Sequence, residues 1–180
     1  MDWMLMPLKR YADFSGRSRR MEFWMWQLFQ LLIYVGVIVI VMVLGGGAMM
    51  GGDPSAMVAA GGGILIVMMI YLLYCLAVIV PSIAVAVRRL HDTNRTGWWI
   101  LAPLGPYLIA FVLAAMAAAA SSGENAGAAM GAIGIIALVC MLAALVLAIV
   151  LLVFYFLDGT PGPNNYGADP KGRDVSQTFS

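Results

Sequence analysis

The sequence predicts an all-α integral membrane protein, a four-transmembrane-helix bundle with both termini cytoplasmic. Three observations predict it. The 180 residues are 63% hydrophobic and only 11% charged, with a mean hydropathy of +0.93; soluble domains run nearer 45–50% apolar and about 25% charged. Four charge-free stretches of at least 22 residues punctuate the chain, and roughly 20 apolar residues span a ~30 Å hydrocarbon core. All ten basic residues lie in segments that four crossings put on one side. With two cysteines and a net charge of +1, the composition also excludes a disulfide scaffold, a disordered tail and a nucleic-acid binder.

The first stretch, 23–44, follows a segment bearing Lys9, Arg10, Arg17, Arg19 and Arg20. Its apolar run exceeds the 7–15 residues of a signal h-region, and no small-residue cleavage site follows, so it reads as a retained span. The others are 64–87, 98–120 and 131–157. None carries the polar stripe of a soluble helix, and the alternating segments of a transmembrane barrel are absent. The chain reads as one membrane domain, 1–171, with a short cytoplasmic tail, 172–180.

Arg88, Arg89 and Arg95 join spans two and three, and Lys171 and Arg173 follow span four. The loops 45–63 and 121–130 hold Asp53 and Glu124 and no base. That asymmetry predicts cytoplasmic termini. Phe23, Trp24, Trp26, Trp98, Trp99, Phe154, Tyr155 and Phe156 cluster at the same level, where aromatic rings anchor to headgroups. The outer loops are rich in glycine and read as flexible and poorly specified.

Three cytoplasmic motifs carry the informative polar residues. In FSGRSRRMEFW (14–24), Gly16 permits a turn, Ser18 is placed to cap the next helix and Glu22 suits its first turn. The arginines, Arg17 and Arg20 among them, serve either as a topology signal or as a site for anionic lipid or a paired acid. In RRLHDTNRTGWW (88–99), the i,i+4 spacing predicts an Arg88–Asp92 pair beside Arg89, and Gly97 is read as the turn before Trp98. A single histidine, His91, without a cysteine nearby makes a poor metal site. In LDGTPGPNNYGADP (157–170), successive turn signals predict a compact Ω-like loop, with Asp158, Asn164, Tyr166 and Asp169 as its polar groups.

Together, in this order on a four-span frame, the motifs resemble the domain-of-unknown-function 805 family of bacterial inner-membrane proteins. The resemblance covers roughly 8–171 and is best in RRLHDTNRTGWW, with FSGRSRRMEFW and Asn164, Tyr166, Gly167, Asp169 and Pro170 agreeing. The Gly/Ala/Met-rich outer parts, 45–63 and 112–134, look locally expanded. The resemblance implies an integral inner-membrane protein and carries over no catalytic residue.

Three activities are weighed. The leading one is a polar cytoplasmic cap binding an anionic lipid headgroup, a small ligand or a partner protein, with no cofactor and no nucleic acid. An oligomeric channel or transporter component is the alternative. A monomeric carrier is disfavoured, since no Asp, Glu, Lys, Arg or His lies within the four stretches and Pro81, Pro103 and Pro106 form no inverted pair. A membrane enzyme would draw on His91, Asp92 and Asp158. Gln27 and Gln30 are expected to bond a neighbouring helix, Cys75 and Cys140 to fill apolar space, and Gly127, Gly131 and Gly134 to pack within the chain or against a second copy.

Overall fold

Backbone groups in lipid must bond to one another, so long apolar stretches become long helices. The computed structural model describes residues 2–51, 53–119 and 126–172. It contains α1 (Asp2–Lys9), α2 (Arg20–Gly51), α3 (Pro54–Asp92), a 3-10 helix (Gly97–Leu101), α4 (Leu104–Ala119) and α5 (Ala126–Phe156), with no strand among the described residues. Among the described residues four segments are long and apolar enough to cross a membrane: Arg20–Ala48, Pro54–Asp92, Gly97–Ala119 and Gly131–Phe156. Helices α2 and α3 pack as one hairpin and α4 and α5 as a second, and the two meet at the end that carries the motifs. Glu124, Arg173 and the tail from 173, the loop residues 120–125 and the surroundings of Gly127 lie outside the described residues.

The segment 45–63, expected to be a flexible loop, is instead helical through Gly51 and again from Pro54. Glycine costs a helix about 1 kcal/mol relative to alanine in water, but here it serves the hairpin seam. A Cβ on Gly45 would lie 3.6 Å from Ile64 Cδ1, and one on Gly63 would lie 3.7 Å from Leu44 Cδ1. Small residues let helix backbones approach in this way. Asp53 restarts the chain as an N-cap, accepting from Ser55 N at 2.9 Å ahead of Pro54 in the first turn. At 39 residues, α3 is roughly 58 Å long, well beyond the hydrocarbon thickness.

Pro81 does not break α3. A proline lacks the N–H that would bond the carbonyl four residues back, here Ala77, and the Tyr11 hydroxyl donates to that carbonyl instead. Span three does divide: its 3-10 turn ends at Leu101 and α4 begins at Leu104, with Pro103 between them. Of the two glutamines, Gln30 accepts from the Tyr74 hydroxyl, whereas Gln27 is exposed. Trp26 Nε1 donates to Ser82 Oγ at 3.0 Å. A Cβ on Gly131 or Gly134 would meet nothing within 4 Å.

The core lies at the motif-bearing end, where Phe23, Trp26, Val78, Val85, Leu90 and Tyr155 are buried together. Phe23 packs on Tyr155 at 4.4 Å between ring centroids and Trp24 on Phe156 at 4.3 Å, joining α2 to α5. Away from this end the helices present Leu, Ile, Val and Met outward, as a lipid solvent permits. Helix α1 lies against α2 and α3 and was not foreseen from sequence.

Candidate functional site at the motif-bearing end

Four residues at the end of α3, Arg88, Arg89, Leu90 and Asp92, are buried, and the other two motifs fold around them. Asp92 Oδ1 accepts from Arg17 Nε at 3.0 Å, and Asp92 Oδ2 accepts from Arg89 at 2.5 Å. Arg17 also donates to the Gly162 carbonyl at 2.7 Å and the Thr160 carbonyl at 2.5 Å, and reaches Asp169 at 4.0 Å. Thr160 N donates back to the Asp92 carbonyl at 2.9 Å. One arginine and one aspartate thus tie all three motifs together.

The expected Arg88–Asp92 pair does not form. Arg88 donates to Glu22 Oε1 at 2.8 Å and to the Asp13 carbonyl at 2.5 Å, and Arg89 takes Asp92 at i,i+3. Neighbouring residues on a helix point about 100° apart, so Arg88 addresses α2 while Arg89 addresses α5. Arg89 donates to the Tyr155 carbonyl at 3.2 Å and to the Leu157 carbonyl, and Arg20 donates to Phe156 O at 3.0 Å. These are the carbonyls that the end of α5 leaves without helical partners, where the helix dipole favours cations.

Two local expectations are corrected. Ser18 does not cap α2: its N–H donates to the Arg88 carbonyl at 3.1 Å, and its buried Oγ has no partner among the described residues, as is also true of Arg88 Nε. That backbone bond draws Ser18 to α3 rather than to the first amides of α2. The turn after α3 is made not by Gly97 but by Asn94, at φ 57°, with Arg95 N returning to Leu90 O at 3.0 Å. Gly97 serves a close approach: a Cβ there would lie 2.8 Å from Val87 Cγ1. Gly16, at φ 76°, does occupy the left-handed region that its turn needs.

The loop after α5 is held by specific bonds. Asn164 donates to the His91 carbonyl at 2.9 Å and to Thr160 Oγ1 at 3.0 Å. Tyr166 stacks on His91 with ring centroids 3.9 Å apart and planes inclined by 5°. His91 Nδ1 lies 3.2 Å from the Gly16 carbonyl. Gly159 faces the Asp92 carboxylate so closely that any Cβ would collide with it.

Of the sequence-predicted site residues, Arg88 and Glu22 form a buried pair of their own, and beside it Arg17, Arg89, Asp92 and Asp169 enter one buried ion-pair network. His91, Asn164 and Tyr166 form its lid. Arg20 and Asp158 lie outside it, paired at 2.7 Å and 42% and 59% exposed. Trp98 is separate, 77% exposed. Both carboxylate oxygens of Asp92 accept from guanidinium groups, Oδ1 from Arg17 and Oδ2 from Arg89. Among the described residues no three His, Cys, Asp or Glu side chains gather as a metal would require.

Sequence reasoning missed a groove beside the network. Its cavity of about 490 Å³ is lined by Arg19, Arg20, Met21, Trp24, Phe156 and Lys171. Lys171 Nζ reaches Asp158 at 3.0 Å, and Arg19 Nε donates to the Pro170 carbonyl at 2.6 Å with its guanidinium over the Trp3 ring at 5.6 Å. The sequence signals were the arginines of the first motif, Arg20 among them, and the position of Lys171 directly after the last motif.

Comparison with known proteins fits this arrangement. The family described as "Protein of unknown function (DUF805)" matches residues 11–168. Inner membrane protein YhaI of Escherichia coli (strain K12) is 32% identical over 171 residues, covering 95% of this chain and 97% of the relative. Inner membrane protein YhaH of the same strain is 32% identical over 173 residues, covering 95% and 98%. No solved structure matches the chain. With the first two motifs and all but the last two residues of the third inside the matched region, and nearly full-length relatives in the inner membrane, this chain belongs to the DUF805 family and is a multi-pass inner-membrane protein.

Proposed function

We propose that this protein binds an anionic phospholipid headgroup in the groove between the start of α2 and the segment after α5, with the motif-bearing end at the cytoplasmic leaflet. One observation carries the reading. Arg19, Arg20 and Lys171 converge on one cavity walled by Trp24 and Phe156, while Arg17, Arg88 and Arg89 are already held in buried ion pairs. A phosphate at the cations, with acyl chains along the aromatic wall, satisfies both halves of the groove. Among the described residues Arg20 and Lys171 share one carboxylate, that of Asp158, so three cations of the rim meet one acid there. In this reading the arginines that looked most like ligand contacts hold the groove in shape.

Basic side chains near an anionic surface contribute about 1 kcal/mol each, roughly fivefold in affinity. The test is native mass spectrometry of protein released from mixed phosphatidylglycerol and phosphatidylethanolamine vesicles, beside the Arg20→Gln/Lys171→Gln variant. Wild type should retain phosphatidylglycerol selectively, and the variant should lose that selectivity at unchanged helicity. Equal retention of both lipids by the wild type would refute the proposal.

A further inference from the structure

A second groove lies away from the basic rim, and its chemistry is different. Ile83, Val87 and His91 succeed one another at four-residue spacing on α3 and form one wall; Phe14, Trp98 and Leu101 supply much of the rest of a cavity of about 360 Å³. That volume is within the ~300–1,000 Å³ range of small-molecule sites, which are apolar with a few placed polar groups. The close seating of Gly97 on Val87, where a Cβ would be 2.8 Å away, fixes the 3-10 helix against α3 beside this groove.

The placed polar group is His91. Its Nδ1 faces a carbonyl, that of Gly16, at 3.2 Å, and a carbonyl only accepts, so the nitrogen there must carry the hydrogen. The neutral ring then has its lone pair on Nε2. Stacking on Tyr166 at 3.9 Å holds the plane of the ring, so the acceptor is oriented before any ligand arrives. No hydrogen bond to Nε2 occurs among the described residues. The groove's other lining residues carry no charge, which disfavours an ionic occupant. Trp98, which lines this groove, is 77% exposed, whereas its neighbour Trp99 packs edge-on against Phe154 at 5.2 Å.

We infer that this groove binds an uncharged aromatic amphiphile through a hydroxyl group that donates to His91 Nε2, its ring lying against Trp98. The inference is independent of the anionic-lipid reading, because the two grooves share no lining residue.

The experiment is calorimetric titration of the full chain in zwitterionic nanodiscs at pH 8, with 1-naphthol and 1-methoxynaphthalene as probes and empty nanodiscs as the blank. Naphthol should bind saturably at one per chain and at least about tenfold more tightly than the methoxy compound, which lacks the donor. His91→Asn, which keeps an N–H for Gly16, should remove that preference. Leu101→Trp, which leaves the His91 contacts in place and fills the groove, should abolish both isotherms. Equal wild-type affinities, or only non-saturable partitioning with Trp98 a simple membrane anchor, would overturn the inference. The comparison of the two probes on the wild type decides it even if His91→Asn does not fold.

Discussion

Arg17 and Asp92 are 75 residues apart in the chain and form an ion pair of 2.9 Å with side chains 1% and 3% exposed. Burying such charges is costly unless each remaining donor and acceptor is engaged. Here Arg89 takes the other Asp92 oxygen at 2.5 Å and carbonyls of the last motif take the rest of Arg17. Asp92 is therefore the common anion of two buried cations from two motifs. Asp92→Asn should destabilise the fold by about 3–5 kcal/mol, the cost of stranding a buried charge. Unfolding in a denaturing-detergent series would measure it. Arg17→Met combined with Asp92→Asn should cost less than the sum of the single changes.

Tyr11 and Pro81 are coupled through a carbonyl. Proline at 81 leaves Ala77 O without its helical donor, and the Tyr11 hydroxyl supplies one. Tyr11→Phe should cost about 1–3 kcal/mol, the penalty for an unsatisfied group away from water. In a Pro81→Ala background residue 81 regains its N–H, and the same substitution should become nearly neutral. Persistence of the full cost there would show that Tyr11 acts by packing alone.

The contrast between Arg88 and Arg89 shows what the sequence made legible. Spans, their number and the gathering of three motifs at one end follow from hydropathy and charge, which act along the chain and were readable. The partner of Arg88 was not, because the i,i+4 rule ranks only local acids, and Glu22 lies 66 residues away. Gly45 and Gly63 suggested a loop because their role, close contact with a facing helix, depends on a hairpin that hydropathy cannot register. Asp53-Pro54-Ser55 was a readable helix start, an N-cap followed by proline, that the glycines around it obscured. The rim groove was invisible for a related reason: Arg19, Trp24, Phe156 and Lys171 become neighbours only once α2 and α5 are packed.

Gly97 gives a sharp steric test. Gly97→Ala places a methyl 2.8 Å from Val87 Cγ1, closer than packed carbons tolerate, and overpacking of this kind costs about 1–3 kcal/mol. Val87→Ala should relieve the clash, so the double variant should be more stable than Gly97→Ala alone. Thermal unfolding of the single variants and their combination would establish the sign. An undiminished penalty in the double variant would place the constraint on the backbone at 97.

Asp13 offers a titration outside the spans. Hydrogen bonds from Ser15, then from Arg10, hold its carboxyl down from 3.8 to about 2. A depressed carboxylate binds fewer protons folded than unfolded, so its stabilising effect is complete above about pH 4 and is lost as pH falls towards 2. Carboxyl carbon resonances followed from pH 6 downward should give the low midpoint. Ser15→Ala should raise it, because the Ser15 hydroxyl bond at 2.6 Å would be gone. An unchanged midpoint in that variant would assign the shift to Arg10.

Where the bases stop predicts the orientation of the bundle. All ten lie at or before the first residue of α2, between the last two turns of α3 and the 3-10 helix, or after α5, and neither opposite loop has one. Basic residues in short loops resist translocation, so the motif-bearing end should face the cytoplasm. In a Cys75→Ala/Cys140→Ala background, Ser55→Cys should react with an impermeant maleimide on intact spheroplasts. Ala168→Cys, in the exposed loop after α5, should react only after permeabilisation. The reverse pattern would invert the protein and move the basic rim to the outer leaflet. Labelling of both positions from outside would require an even number of crossings between residues 55 and 168 and would contradict the three passes made by α3, the 3-10 helix with α4, and α5. Three passes require opposite compartments, and that requirement holds whichever way the protein is inserted.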